Sequence, residues 1–228
     1  GDVYKRQVEE VDFQLGRVID AIAARGELDQ TVIVITADHG EQLGDHGLLE
    51  KLAFFPQSYH IVGIWSDPDL GSGVISQFTE NVDLLPTLCD TMGIAIPRQC
   101  DGRSLTPLFT GATTEWRTAA HYEWDWRYFF IGSRTPNWSE NRLLSRQNLA
   151  ASVGEDLAYV QFGDGSYKAF DLKADPTWRT ECRDSDRILA STQELLVWRQ
   201  EHLLRDDTDM LLVPSRPGYW PTESSTRA

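Results

Sequence analysis

The run Thr31–Thr36 (TVIVIT) constrains this chain more than any other stretch. Its β-branched side chains are stiff at χ1 and favour extended backbone. A strand that is apolar at nearly every position suits cover on both faces, as in a parallel sheet. Ahead of it, Val8, Val11, Leu15, Val18, Ile19 and Ile22 recur at helical spacing, with Glu9, Asp12, Arg17 and Arg25 between them. Gly26 stands where a C-cap belongs. Helix, short turn and buried strand form half of a doubly wound α/β unit.

The pattern continues and then changes. Ile61–Trp65 is a second short strand, closed by Asp67 and Pro68. Residues Asn81–Met92 predict a helix with Val82, Leu85, Leu88 and Cys89 inward, Pro86 tolerated early and Gly93 as the stop. From Trp116 the texture shifts. Tyr122, Trp124, Trp126 and Tyr128 alternate with Glu123, Asp125 and Arg127, the period of a half-exposed antiparallel strand. Ala158–Phe162 and Tyr167–Leu172 flank Gly163, Asp164 and Gly165, a hairpin signal. Ser185–Leu204 predicts a closing helix with Ile188, Leu189, Thr192, Leu195, Leu196 and Leu203 on one side.

The expected organisation has four parts. Residues 1–7 do not blend into the helical pattern that starts at Val8 and read as a scar. Residues 8–115 form the α/β part, with the break near Gly111–Trp116. Residues 116–208 form a small antiparallel sheet with a terminal helix. Residues 209–228 are an extended arm, with Pro214, Pro217 and Pro221 around Tyr219 and Trp220. Docking of those aromatics on a second copy would make a homo-oligomer.

Composition limits the partners. The chain has 228 residues and is 41% hydrophobic, enough to bury a core without staples. Its net charge of −14 argues against nucleic acid and against an anionic membrane surface. A small anionic substrate remains compatible, because a site can be locally positive. No run of about 18 apolar residues is present. The chain starts at Gly1 without a signal-peptide pattern, and the expected compartment is the cytoplasm. The three cysteines, Cys89, Cys100 and Cys182, are too few and too scattered for a disulfide framework or zinc cluster.

Chemistry concentrates where the first strand ends. There the chain reads Thr36, Ala37, Asp38, His39, Gly40, Glu41, Gln42, Leu43, Gly44, Asp45 and His46, followed by Lys51. The carboxyl edge of an α/β sheet is where ligands bind. Asp38 offers a hard oxygen and His39 an imidazole nitrogen, a pair that suits calcium, manganese, iron or zinc and selects none of them. Two ligands complete none of those sites. Lys51 adds a point charge able to hold an oxygen of a phosphoryl or sulfuryl group. The plain alternative is a glycine-rich turn carrying surface charges.

The segment Asp38–Lys51, D-H-G-E-x-L-G-D-H-x-x-x-x-K, resembles the C-terminal metal-ligand motif of type I sulfatases and phosphonate monoester hydrolases, in the alkaline phosphatase superfamily. Asn81–Thr91 (NVDLLPTLCDT), Pro97–Phe109 (PRQCDGRSLTPLF) and Lys168–Asp175 (KAFDLKAD) resemble later family segments in the same order. Pro97–Phe109 and Ala119–Arg127 lean towards the phosphonate monoester hydrolases. The resemblance implies the C-terminal part of an alkaline-phosphatase-like α/β sandwich plus a small antiparallel subdomain. It implies Asp38 and His39 as ligands of a divalent cation, Lys51 as the catalytic contact to the substrate oxyanion, and a small anionic ester as substrate. It also implies a formylglycine nucleophile made from the Cys of a C-x-P-x-R motif. None of the three cysteines sits in that motif, so the chain reads as the C-terminal part of an enzyme, inactive by itself.

Other candidates are weaker. His46 could orient Asp38 or His39, or simply satisfy loop carbonyls. Glu41 could act as a base or support the ligands, or be a capping carboxylate. His121, Glu123 and Asp125 share one face of the aromatic strand and read first as its polar face. Asn137, Trp138 and Ser139 match a glycosylation sequon, a weak signal. Three rival readings stay open: an arylsulfatase-type hydrolase, a non-catalytic binding or oligomerisation module of the same fold, and a two-metal phosphodiesterase with a Thr or Ser nucleophile. The last would need a further histidine, and His121 and His202 lie in no matching motif.

Overall fold

A computed structural model describes residues 2–51, 53–112, 115–127 and 147–211. The sequon and residues 212–228 of the expected arm lie outside these residues, whereas 209–211, also assigned to the arm, continue the closing helix. The described residues fall into two compact units, those within 1–77 and 106–116, and those within 78–105 and 117–211. Among the described residues, no helix is long and apolar enough to cross a membrane.

The first unit opens with helix α1, Asp2–Ala24. Residues 2–7, expected from the sequence to be a scar, continue this helix without a break. Gly26 lies just past its end at φ +69 and donates to the Ala23 carbonyl, the left-handed cap that a glycine adopts without a Cβ penalty. Leu15, Ile19 and Ile22 are half-buried, whereas Val8, Val11 and Val18 of the same expected stripe are exposed. Strand β1, Ile33–Thr36, pairs antiparallel with β2, Gly63–Ser66, so that Thr36 lies opposite Gly63. The expectation of a strand covered on both faces in a parallel sheet is therefore corrected. Among the described residues β1 has one neighbour, in a two-stranded sheet, and three of its four residues are only half-buried. Between the strands lie a turn at Asp45–Gly47 and the short helix α2, Pro56–Tyr59.

The second unit begins with a turn at Asn81–Asp83 that runs into α3, Leu84–Thr91. Of the four residues expected inward, Cys89 is buried and Leu88 half-buried, but Val82 and Leu85 are not. Val82 and Leu85 are exposed, while Asp83, Pro86, Thr87 and Cys89 are buried. The reason is hydrogen bonding. Asp83 Oδ1 accepts from Arg103 N at 2.8 Å, and Thr87 Oγ1 accepts from Leu105 N at 2.9 Å. The 102–105 segment thus wraps the polar side of α3. Gly102 makes this possible, since a Cβ there would stand 2.0 Å from the Val82 carbonyl oxygen.

Four strands then form an antiparallel sheet in the order β3-β4-β5-β6: Ala119–Asp125, Asn148–Gly154, Leu157–Phe162 and Tyr167–Asp171. The β5–β6 hairpin turns through Gly163, Asp164 and Gly165, with Gly165 at φ +85. The short helix α4, Thr106–Phe109, belongs to the first unit, and α5, Ser185–Leu211, closes the second. Helix α5 lays Leu195, Ile188 and Trp198 on Ala150, Leu157, Tyr159 and Ala169, and this is the core. Leu189 and Leu196, expected inward, are exposed on the neighbouring strip of the helix.

Residues 78–105 group with this sheet, tied to it by Arg117 just ahead of β3 and by His121 within it. Arg117 holds the fully buried Asp83 in a two-pronged contact, with Nη2 to Oδ1 at 2.8 Å. Glu80 Oε1 accepts from His121 N at 2.7 Å and lies 3.5 Å from His121 Nδ1. His121 stacks on Trp198, centroids 4.7 Å apart, and Glu123 pairs with Arg199 at 2.7 Å. The face expected to be the polar side of β3 therefore packs towards α5. Ser152 Oγ stands 3.3 Å from His121 Nε2, so Ser152, His121 and Glu80 are laid out like a nucleophile relay. Ser152 is only 2% exposed, and the three residues tie strands and turn together.

Burial alone would raise the Glu80 carboxyl, but the hydrogen bond from His121 and the charge of Arg117 outweigh it and hold the group below its ordinary 4.5. A lowered folded-state value adds stability that is fully present above pH 4.5 and is lost as pH falls through the folded value. Urea midpoints are expected to drop on acidification below that point, and to drop less in Glu80→Gln. Equal acid sensitivity in the variant would remove Glu80 as a contributor.

Candidate functional site

Strand β1 ends at Thr36 and the chain turns at once into Asp38. The Asp38 carboxylate accepts from the His39 amide at 2.9 Å through Oδ1, while Oδ2 lies 3.5 Å from His39 Nε2. Lys51 returns to the same place, its Nζ 3.1 Å from His39 Nε2. The three residues singled out from the sequence as metal ligands and oxyanion contact thus meet around one ring nitrogen. Asp38 is 85% exposed at its side chain, so this carboxylate faces open space.

The His39 ring has a defined orientation. Nδ1 is 2.8 Å from the Gly40 carbonyl oxygen, which can only accept. Nδ1 therefore carries the hydrogen in the neutral ring, and Nε2 presents its lone pair beside Asp38 and the Lys51 ammonium. A histidine whose other nitrogen is pinned to a backbone carbonyl is the usual form of a metal-ligating histidine. The donor set, one carboxylate oxygen and one imidazole nitrogen, fits a divalent cation. Among the described residues no group of three or more His, Cys, Asp or Glu comes together, so further donors are needed to fill a coordination sphere.

A rigid loop carries these groups. Gly40 N donates to the Ser58 carbonyl at 2.8 Å, and Gly40 approaches α2 so closely that a Cβ would stand 2.0 Å from the Gln57 carbonyl oxygen. Gln42 N donates to Glu50 O at 2.9 Å and Gly44 N to Leu48 O at 2.8 Å. Leu43, His46, Glu50 and Ala53 all adopt positive φ, between 52 and 77. Strain of this kind persists only where the surroundings over-determine it, and it clusters at functional loops.

Glu41 Oε1 accepts from the amides of Glu50 at 2.5 Å and Leu43 at 3.4 Å, which makes it a carboxylate that closes the loop. The His46 ring lies flat on Phe55, centroids 3.6 Å apart, bracing the turn against the chain leading into α2. Sequence reasoning missed Gln42, Gln57 and Ser58. Gln42 and Ser58 are buried, and Gln57 Nε2 donates to Asp45 Oδ2 at 3.0 Å. The one available signal was an uncharged glutamine inside a turn rich in glycine and charged residues. The three cysteines are free, and Cys89 is buried in α3.

A carboxylate, an imidazole and an ammonium at the carboxyl end of a strand make a site suited to cation-assisted chemistry on an anion. The sequence profile of the Sulfatase family matches residues 2–94. The chain is 36% identical over 203 residues to the multifunctional alkaline phosphatase superfamily protein PehA of Trinickia caryophylli, covering 86% of this chain and 39% of that protein. It is 27% identical over 188 residues to a choline-sulfatase of Rhizobium meliloti (strain 1021), covering 81% of this chain and 33% of that one. The crystal structure of a phosphonate monoester hydrolase of Agrobacterium radiobacter superposes with a TM-score of 0.73 at 34% identity, over 86% of this chain and 40% of the other. The chain belongs to the sulfatase and phosphonate monoester hydrolase family of the alkaline phosphatase superfamily. It spans about two fifths of the length of these relatives, 39% and 40% in the two most similar of the three.

Proposed function

We propose that this chain supplies part of the catalytic site of a metal-dependent hydrolase of phosphonate, phosphate or sulfate esters, with phosphonate monoesters first. The observation that carries the reading is the meeting of Asp38, His39 and Lys51 within 3.5 Å at the end of β1. The 34% identity to the Agrobacterium phosphonate monoester hydrolase over 86% of this chain, against 27% to the choline-sulfatase over 81%, supports placing phosphonate before sulfate.

Asp38 and His39 would hold the cation, through a carboxylate oxygen and Nε2. When bound, the cation supplies Lewis-acid polarisation of the ester's oxygens. The Gly40 carbonyl fixes the His39 tautomer so that Nε2 stays a donor of electrons. Lys51, a compact charge on a flexible stem, holds a non-bridging oxygen and offsets the negative charge that grows in the transition state. In this reading the formylglycine nucleophile and the remaining ligands lie outside these 228 residues. The substrate is a small anionic ester in a compartment proposed to be the cytoplasm.

The test is expression of the complete open reading frame, metal analysis, and assay against an aryl phosphonate monoester, an aryl sulfate and a phosphodiester. The expected result is bound divalent metal, loss of turnover on chelation, and preference for the phosphonate. Metal-loaded protein that turns over none of the three would overturn the reading in favour of a non-catalytic module.

A further inference from the structure

We propose that Gln42 is a positioning residue, which seats on Ser58 of α2 and thereby sets the orientation of His39 beside Asp38 and Lys51. The inference rests on the reading of those three residues as the site. Gln42 is 0% exposed and Ser58 is 1% exposed, in a loop whose other side chains are half-buried or open. Gln42 Nε2 donates to Ser58 Oγ at 2.9 Å, and Gly40 N donates to the Ser58 carbonyl at 2.8 Å. The residues on either side of Glu41 are therefore anchored on one serine, one through its side chain and one through its backbone. Gln42 N also bonds Glu50 O at 2.9 Å, immediately before Lys51. One buried residue thus links the peptide that orients the His39 ring to the segment that delivers Lys51.

Burying an amide costs free energy that an apolar residue of similar size would avoid. What the buried Nε2 donor adds by finding Ser58 Oγ is a preference for one arrangement of the loop over others. The loop needs such restraint, because Leu43, His46, Glu50 and Ala53 hold positive φ with ordinary side chains. Without the Gln42–Ser58 contact, Gly40 keeps its amide bond to the Ser58 carbonyl, but the peptide between Gly40 and Glu41 loses its restraint on the Gln42 side, and the Gly40 carbonyl that selects the Nδ1–H tautomer of His39 is held less firmly.

The experiment uses the complete enzyme, expressed from the full open reading frame so that the remaining ligands are present, and its variants Gln42→Leu, Ser58→Ala and the pair. Side-chain ¹⁵N NMR of the metal-free enzyme reads the His39 tautomer, and Mn²⁺ titration followed by EPR reads affinity. The parent enzyme is expected to show Nδ1–H at His39. Each folded variant is expected to show mixed tautomers and Mn²⁺ affinity weaker by about 10–100-fold. The pair should be little worse than either single change, as for two halves of one contact. Ser58→Ala carries the test if Gln42→Leu fails to fold. Folded variants with an unchanged tautomer and unchanged Mn²⁺ affinity overturn the proposal. A tautomer change in an enzyme whose parent form does not bind Mn²⁺ supports it, and counts only against the metal reading.

Discussion

Lys51→Ala is expected to lower kcat/KM for an aryl phosphonate by about 10²–10³-fold in the complete enzyme, with the metal still bound. Lys51 Nζ approaches His39 Nε2 at 3.1 Å, an ammonium facing a lone pair that a cation would also use. Removing it takes away no metal donor. On the proposed reading it does take away the positive charge that meets the ester oxygens. Asp38→Ala should behave differently. It deletes one of two donors and is expected to lose both metal and turnover. The two variants separate the roles: metal content distinguishes them, and activity alone does not. Near-normal kcat/KM in Lys51→Ala, or full metal content in Asp38→Ala, would reassign the residue concerned. Lys51→Arg should recover only part of the rate, because a planar fork does not reproduce a compact point charge.

The second large effect lies in the C-terminal unit. Arg117→Met is expected to destabilise the fold by about 3–5 kcal/mol, the usual cost of leaving one half of a buried ion pair alone. Asp83 has no exposed surface, and Arg117 is 11% exposed at its side chain. Asp83 also accepts from the amides of Glu80 and Arg103, both at 2.8 Å. Those bonds would remain in Arg117→Met, but the countercharge would not. Combining Arg117→Met with Asp83→Asn should restore part of the loss, since the charge that demanded the partner is gone. Denaturant unfolding measures both. A loss of under about 1 kcal/mol, the range of exposed pairs, would show that the contact is solvent-screened.

Much of the site was legible in the sequence because it is local. Asp38, His39 and Gly40 are consecutive, they come directly after a strand, and Lys51 lies within the same loop. Hydrogen-bond donors and ligands brought together by one turn leave a pattern that spacing can reveal. The supports of the loop did not, because Ser58 reaches Gln42 across 16 positions. The face of α3 was partly misread for a related reason. Periodicity assigns apolar residues to the interior, yet Asp83 and Thr87 are inside because partners distant in sequence satisfy them. Likewise the histidine face of β3 looked polar, and α5 covers it with Trp198 and Arg199.

Residue types and their spacing were enough for α1, both strands of the first unit, α3, β3, the β5–β6 hairpin through Gly163–Gly165, α5, the cap at Gly26, the family and the three residues that meet at the site, but not for β4 or the short helices α2 and α4. Each of the former obeys short-range rules of propensity, turn chemistry or motif. Long-range packing was needed to pair β1 and β2 antiparallel, to join residues 78–105 to the C-terminal sheet, and to seat buried Gln42 of the Asp38–Lys51 loop on Ser58. Those outcomes depend on which distant group satisfies each buried donor, acceptor and charge, and no local pattern encodes that choice.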